Sequence, residues 1–466
     1  MAVDLSLWLA LAAALPLLVY LYVRANDAKI SRLHPAALIH SPDRWTADDV
    51  RRTAAEVKLK AENVQGGAPA SLFSQDELPP KTGRRYIITG GAGFLGGWIV
   101  LHLIARGEDP RRIRIVDIRR PVRQDLLEGP AANVDFCKAD IADSAAVEAA
   151  FAKPWADTED GPEPETTRNA SLQPYSDGVN VKGTENVVAA AHKIGALPSS
   201  TLPQDDSIIP QHHEDFFSNY AVSKWKAEQV IRRADRTSSG AHTLRTGAIR
   251  PGNGIYGPGG DLLLELYLIR GETPSWIWDS IQSFIYVENA FVVADAGPAP
   301  TYGEVYRGMM DLTGGAVKFL WLSSTAILGF AVLIEQYYLL RHALVRAAPP
   351  LAKLVPPLSG DVVYLQPSIF SLTQVHLIFD DSRARRAPED GGLGWNGRVT
   401  TLEGMCKTVQ EFERSGGLAR RRAVAGNKTP DHGFQIARAE KTVEEVIEKL
   451  GIHTQDKPQV AMEVSY

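Results

Sequence analysis

A chain of 466 residues, 44% hydrophobic and 23% charged, has the composition of an ordinary globular protein with room for two or three domains. Its net charge of -5 and pI ≈ 6.2 leave no basic footprint, so no nucleic-acid partner is expected. Two cysteines far apart in sequence, Cys137 and Cys406, form no metal or redox motif; they fit a reducing compartment, and no metal site is expected.

Leu5 to Val23 is nineteen residues without a charge, long enough for a bilayer-spanning helix. Asp4 argues against a cleaved signal peptide, and Arg24, Lys29 and Arg32 follow the apolar run while nothing basic precedes it. A transmembrane anchor over 1–24 is therefore expected, in the endoplasmic reticulum with the catalytic domain cytosolic. Residues 25–84 read as a juxtamembrane linker, with a modest helix over 47–59 and a Gly/Pro/Ser-rich end.

Tyr86-Ile-Ile88 reads as a short buried strand, followed by Gly90, Gly93 and Gly96 at three-residue spacing and an apolar helical pattern from Trp98. Strand, glycine turn and helix start in that order make a phosphate cradle. With Phe94 and Leu95 inside the turn, it is the first candidate cofactor contact. A second strand, Ile113 to Val116, ends in Asp117, about twenty residues past the last glycine, where a carboxylate accepts bonds from the ribose hydroxyls of NAD and repels the 2′-phosphate of NADP. NAD is the expected cofactor, NADP the less favoured one, although Arg119 and Arg120 stand close by. A third strand, Val134 to Cys137, leads to Asp140 and Ile141. Asp140 is either near the adenine or the N-cap of a helix over 144–151.

Further on, Tyr220-Ala-Val-Ser-Lys224 opens a helix, and its Tyr and Lys, four apart, share one face. An ammonium beside a phenol lowers its pKa and makes it a usable acid/base for a carbinol or carbonyl. The same spacing also occurs on solvated helix faces.

The chain resembles the extended short-chain dehydrogenases, and within them the 3β-hydroxysteroid dehydrogenase/isomerase and sterol-4α-carboxylate 3-dehydrogenase branch. The resemblance rests on Thr89-Gly-Gly-Ala-Gly-Phe-Leu-Gly96, Tyr175-Ser-Asp-Gly-Val-Asn180-Val-Lys-Gly-Thr184, Tyr220-Ala-Val-Ser-Lys224 and Arg250-Pro-Gly-Asn-Gly-Ile-Tyr-Gly257. It implies a Rossmann-like doubly wound α/β domain over 85–260 and a smaller mixed substrate domain over 261–414. It also implies Tyr220 as acid/base, Lys224 as its partner and ribose ligand, Asn180 supporting a proton-relay water, and Pro251 near the nicotinamide. The implied activity is NAD-dependent oxidation of a 3β-hydroxyl on a sterol or steroid, followed by loss of carbon dioxide where a 4-carboxylate is present. Another apolar alcohol or ketone as substrate, or a catalytically dead binding protein, are the alternatives. A membrane and a second copy of the chain complete the expected partners.

The pattern breaks twice. Trp155 to Pro174 has no apolar run where the family has a fourth strand, and prolines at 162 and 164 argue against one. After Gly195 no fifth strand is evident, and Ser200 is the nearest remnant of the catalytic serine. The chain thus reads as a dehydrogenase with internal segments missing, or as a natural relative that has lost them. In the second half, Phe319 to Ile334 is an uncharged run too short for a span: a membrane-lying hairpin, a substrate entrance or a core helix. Val375–Phe379 is a candidate strand and Thr400–Phe412 a closing helix. The polar tail 415–466, with a terminal helix over 441–450, carries no assigned function.

Overall fold

The computed structural model describes residues 5–417, apart from 64–77, 156–164, 169–176, 195–211, 213–215 and a few shorter gaps. Ser200 and the terminal helix expected over 441–450 lie outside the described residues.

Two long helices come first, α1 (Leu5–Ile30) and α2 (Ala47–Asn63), with a short helical turn, Pro35–His40, between them. The nucleotide-type domain follows: β1 (Tyr86–Thr89), α3 (Phe94–Ala105), β2 (Ile113–Asp117), β3 (Asp135–Lys138), α4 (Ser144–Ala152), β4 (Glu165–Arg168), α5 (Gly183–Lys193) and α6 (Asn219–Ala234). Its described strands form one parallel sheet in the order β3-β2-β1-β4. Side chains alternate across a strand, and β1 shows the consequence. Ile87 enters a cluster with Val116, Val147, Phe151 and Val187, while Tyr86 and Ile88 enter another with Val100, Leu103, Ile113 and Ile115. A sheet buried on both faces by crossover helices is the Rossmann arrangement.

A strand does form in the stretch expected to have none. β4 begins directly after Pro164 and pairs in parallel with β1, Tyr86 opposite Glu165 and Thr89 opposite Arg168. The prolines stand outside the paired residues, and a ladder drawn through the backbone needs no apolar run on the incoming strand.

The second domain is built on β5 (Ile255–Tyr256), α7 (Leu264–Arg270), β6 (Glu272–Ser275), β7 (Ile285–Tyr286), α8 (Tyr302–Leu312), β8 (Lys318–Trp321), α9 (Ser324–Ala347), α10 (Ser368–Thr373) and α11 (Thr401–Arg414). Its core is aromatic: Tyr256, Phe284, Tyr286, Tyr302, Tyr306 and Phe319 pack with Met309, Met405 and Phe412. The helix expected over 400–412 is present, opened by a capping box of Thr400 and Glu403. Where a strand was expected over 375–379, a single parallel bridge joins Leu377 to Gln282. The uncharged run 319–334 divides between β8 and a helix with one inward face, its Ala331 and Ile334 buried.

The expected transmembrane helix must be corrected: among the described residues no helix is long and apolar enough to cross a membrane. α1 continues into polar residues that dock on α9: Asn26 Nδ2 donates to Thr325 Oγ1 at 2.9 Å, and buried Asp27 accepts from Thr325 N at 2.9 Å. Residues 41–63, inside the stretch read as a linker, pack on the second domain. Trp45 N donates to Glu304 Oε1 at 2.6 Å, Arg44 pairs with Glu304 at 2.9 Å, and Val50 and Val57 are buried with Leu402 and Cys406. Cys137 and Cys406 are both free.

Candidate active site

The glycine turn leaves β1 with Gly90 at φ +74, a conformation that favours glycine. Gly90 N donates to Val116 O at 2.9 Å, and Gly93 N to Gly90 O at 3.0 Å, which folds the turn under the first residues of α3, Phe94 and Leu95. Gly96 lies against the turn itself. A Cβ there would meet Gly90 O, with the Gly90 carbonyl carbon at 2.7 Å and Gly91 Cα at 2.8 Å. Asp117, at the end of β2, faces this turn: its Oδ2 accepts from Ala92 N at 3.1 Å and its Oδ1 from Arg119 N at 3.3 Å. The cradle thus has a close-approach backbone, a helix N-terminus and a carboxylate, the set a dinucleotide takes.

The residues after Asp117 do more than the sequence reading foresaw. The Arg120 guanidinium lies 5.1 Å over the Phe136 ring. Arg123, which no local pattern singled out, reaches back to α3: its Nη1 donates to Phe94 O at 3.3 Å and its guanidinium lies 5.1 Å over Trp98. Trp98 Nε1 in turn donates to Pro258 O at 2.8 Å, fastening the first turn of the cradle helix to the loop after β5.

Asp140 is not the helix N-cap; Asp143 is, accepting from Ala145 N at 2.9 Å and Ala146 N at 3.2 Å. Asp140 is exposed and turns on itself, accepting from Ala142 N at 2.9 Å. Ile141 is wedged against the start of α5, where a Cβ on Gly183 would lie 2.8 Å from its side chain. Its carbonyl accepts from Asn186 Nδ2 at 2.9 Å.

Asn180 is buried on a wide helical turn, Asp177–Lys182, that runs into α5. Its Nδ2 donates to the buried hydroxyl of Ser223 at 3.0 Å, and its backbone carbonyl accepts from Thr184 Oγ1. The side chain therefore grips α6 one residue from Lys224. Ser223 escaped the sequence reading, though it sits inside the Tyr-x-x-x-Lys segment. Lys224 is half-buried on α6, while the side chain of Tyr220 lies outside the described residues. Pro251 is exposed, four residues before β5.

The segment Phe284–Asn289 is held inside the second domain by buried polar contacts. Asn289 Nδ2 donates to Val399 O at 2.7 Å and to Asp295 at 2.9 Å. Asp295, fully enclosed, also accepts from Tyr286 N at 2.6 Å, Thr401 Oγ1 at 3.0 Å and Tyr256 OH at 3.2 Å. Burial pushes its carboxyl up to about 7 against these donors. A folded-state value above the ordinary 3.8 means that the stability it contributes is whole below pH 3.8 and is lost as pH rises through about 7. The melting temperature of Asp295→Asn minus that of the parent is expected to rise between pH 5 and 8; a difference flat across that range contradicts the assignment.

The 3-beta hydroxysteroid dehydrogenase/isomerase family pattern matches residues 87–198 and 203–296, spanning the cradle, Asn180, α6 and Phe284–Asn289. That is less than half of the chain, which over these residues is similar to the family. The short-chain dehydrogenase/reductase family 42E member 1 of Danio rerio is 27% identical to this chain over 299 residues, covering 54% of this chain and 74% of that protein. The 3 beta-hydroxysteroid dehydrogenase type 7 of Mus musculus is 29% identical over 197 residues, 39% of this chain and 53% of its own. A vaccinia virus (strain Ankara) 3 beta-hydroxysteroid dehydrogenase/Delta 5-->4-isomerase is 30% identical over 232 residues, 44% of this chain and 63% of the viral one. Among solved structures, the Bordetella bronchiseptica enzyme WbmF, in complex with NAD+ and UDP, covers 76% of this chain and 98% of its own at 16% identity and TM-score 0.46.

Proposed function

We infer that this chain is an oxidoreductase of the extended short-chain dehydrogenase type, which oxidises the 3β-hydroxyl of a sterol or steroid with NAD. The reading is carried by one observation: a glycine turn with no room for a Cβ at Gly96 faces Asp117, in a chain that sets Lys224 on α6 beside the Asn180–Ser223 contact. NAD bound in the cradle supplies a hydride acceptor. Backbone of the Gly90–Gly96 turn and the N-terminus of α3 hold its pyrophosphate, and Asp117 accepts bonds from the ribose hydroxyls. Tyr220 takes the hydroxyl proton as the carbinol becomes a ketone, and Lys224 stabilises the phenolate that this requires. Asn180 acts through Ser223 by holding α6 in place. The aromatic second domain supplies an apolar wall for a bulky substrate. Where the substrate carries a carboxylate on the neighbouring carbon, the β-keto acid so formed loses carbon dioxide unaided.

Purified protein is to be assayed with NAD and a panel of 3β-hydroxysterols with and without a 4-carboxylate, following nicotinamide absorbance and product mass. Reduction of NAD is expected with at least one sterol, and carbon dioxide release with the carboxylated ones. Binding of NAD without turnover of any 3β-sterol defeats the substrate assignment. NADP bound as tightly as NAD defeats the role given to Asp117.

A further inference from the structure

One glycine of the cradle segment has no part in the turn itself. Gly97 follows Gly96, and a Cβ on it would meet the segment after β2, with Leu126 Cδ1 at 2.9 Å and Arg123 Nη1 at 3.3 Å. Its bare backbone lets that segment close on the first turn of α3. Leu126 is buried there, and the Arg123 side chain is only 10% exposed.

From this position Arg123 touches several elements at once. Its Nε and Nη2 donate to the two carboxylate oxygens of Asp125, at 3.0 Å and 2.5 Å, as a bidentate pair. Nη1 donates to Phe94 O at 3.3 Å, and the guanidinium lies 5.1 Å over the Trp98 ring. A further neighbour is the loop after β5. A Cβ on Gly259, whose φ of +97 already favours glycine, would fall 2.6 Å from Arg123 Cζ. Trp98 reaches the same loop through its Nε1, which donates to Pro258 O at 2.8 Å. A planar guanidinium can stack on an indole and donate within its own plane at the same time, which an ammonium cannot.

The second domain holds this loop from its other end. Asp261 accepts from Gly257 N at 2.9 Å, Leu263 N at 2.6 Å and Glu265 N at 3.0 Å, and Leu264 and Leu268 are buried with Trp98 in the aromatic core. Upstream, the loop continues β5 and the segment of Pro251, the residue that family resemblance puts at the nicotinamide. Arg123 thus bears on two places. Through Phe94 it bears on the first turn of α3, and through Gly259 on the backbone that leads back to Pro251.

We propose that Arg123 is a positioning residue for the cofactor: with Trp98 it clamps the loop 257–260 to the start of α3, and so sets the pyrophosphate and nicotinamide ends of NAD at a fixed separation. The assignment rests on the cofactor reading above and deepens it by naming what aligns the two ends. The guanidinium acts by its shape and its hydrogen bonds, since Asp125 already neutralises its charge.

Calorimetric titration of the full chain with AMP, ADP-ribose and NAD tests this. The three ligands extend one adenosine phosphate first through the pyrophosphate and distal ribose and then to the nicotinamide. Arg123→Met is expected to weaken NAD about tenfold, ADP-ribose by no more than about threefold, and AMP not at all. Arg123→Lys keeps the charge without the planar fork and is expected to resemble Arg123→Met. Trp98→Phe keeps a ring and removes the bond to Pro258. It is expected to weaken NAD selectively as well, and the double variant to be little worse than the poorer single one. Equal weakening of all three ligands by Arg123→Met means a damaged cradle and overturns the proposal, as does unchanged NAD binding or full recovery by lysine. Where Arg123→Met does not fold, the same three titrations of Trp98→Phe decide. A parent that binds none of the ligands overturns the proposal together with the cofactor reading. Selective loss of NAD in a chain that turns over no sterol supports the clamp and counts against the sterol reading alone.

Discussion

Tyr220→Phe is expected to lower turnover by on the order of 10²–10⁴-fold, the usual worth of general acid–base help, with NAD affinity little changed. Phenylalanine keeps the ring and removes only the oxygen that would carry the proton. Lys224→Met is expected to weaken both turnover and cofactor binding, because the ammonium lowers the tyrosine pKa and also holds the ribose. The double variant is expected to be little worse than the poorer single one, since residues that act as a unit are not additive. Ser223→Ala separates positioning from proton transfer: without its partner for Asn180 Nδ2, kcat falls while the phenol itself is untouched. A Tyr220→Phe protein that matches an active parent defeats the mechanism.

Gly96→Ala is expected to abolish NAD binding over the accessible titration range. The added methyl would sit on Gly90 O, with Gly90 C at 2.7 Å and Gly91 Cα at 2.8 Å, all backbone of the turn that has to approach the pyrophosphate. Relief requires α3 to move off β1, and overpacking of this kind costs about 1–3 kcal/mol before any cofactor contact is lost. Gly93→Ala is the control, because its Cβ would meet only Gly90 O, at 3.2 Å. Isothermal titration with NAD beside a thermal melt separates loss of the site from loss of the fold. Undiminished NAD binding by Gly96→Ala places the cofactor elsewhere.

What the sequence determined by itself was local and periodic. The glycine spacing, the strand ending in Asp117 and the capped helix over 401–414 each depend on residues within one or two turns of each other, so short-range sterics and hydrogen bonds decide them. Hydropathy alone misjudged α1: it counts apolar residues in a row, whereas Asp27 and Asn26 find partners on Thr325, some 300 residues away. β4 was equally invisible, because its place at the edge of the described sheet comes from backbone pairing with β1, some 80 residues earlier. Asp295 and Arg123 carry no local signature at all. Their environments are assembled from elements distant in sequence, and only the packing of those elements decides whether a charge is satisfied at a helix start or enclosed by four donors.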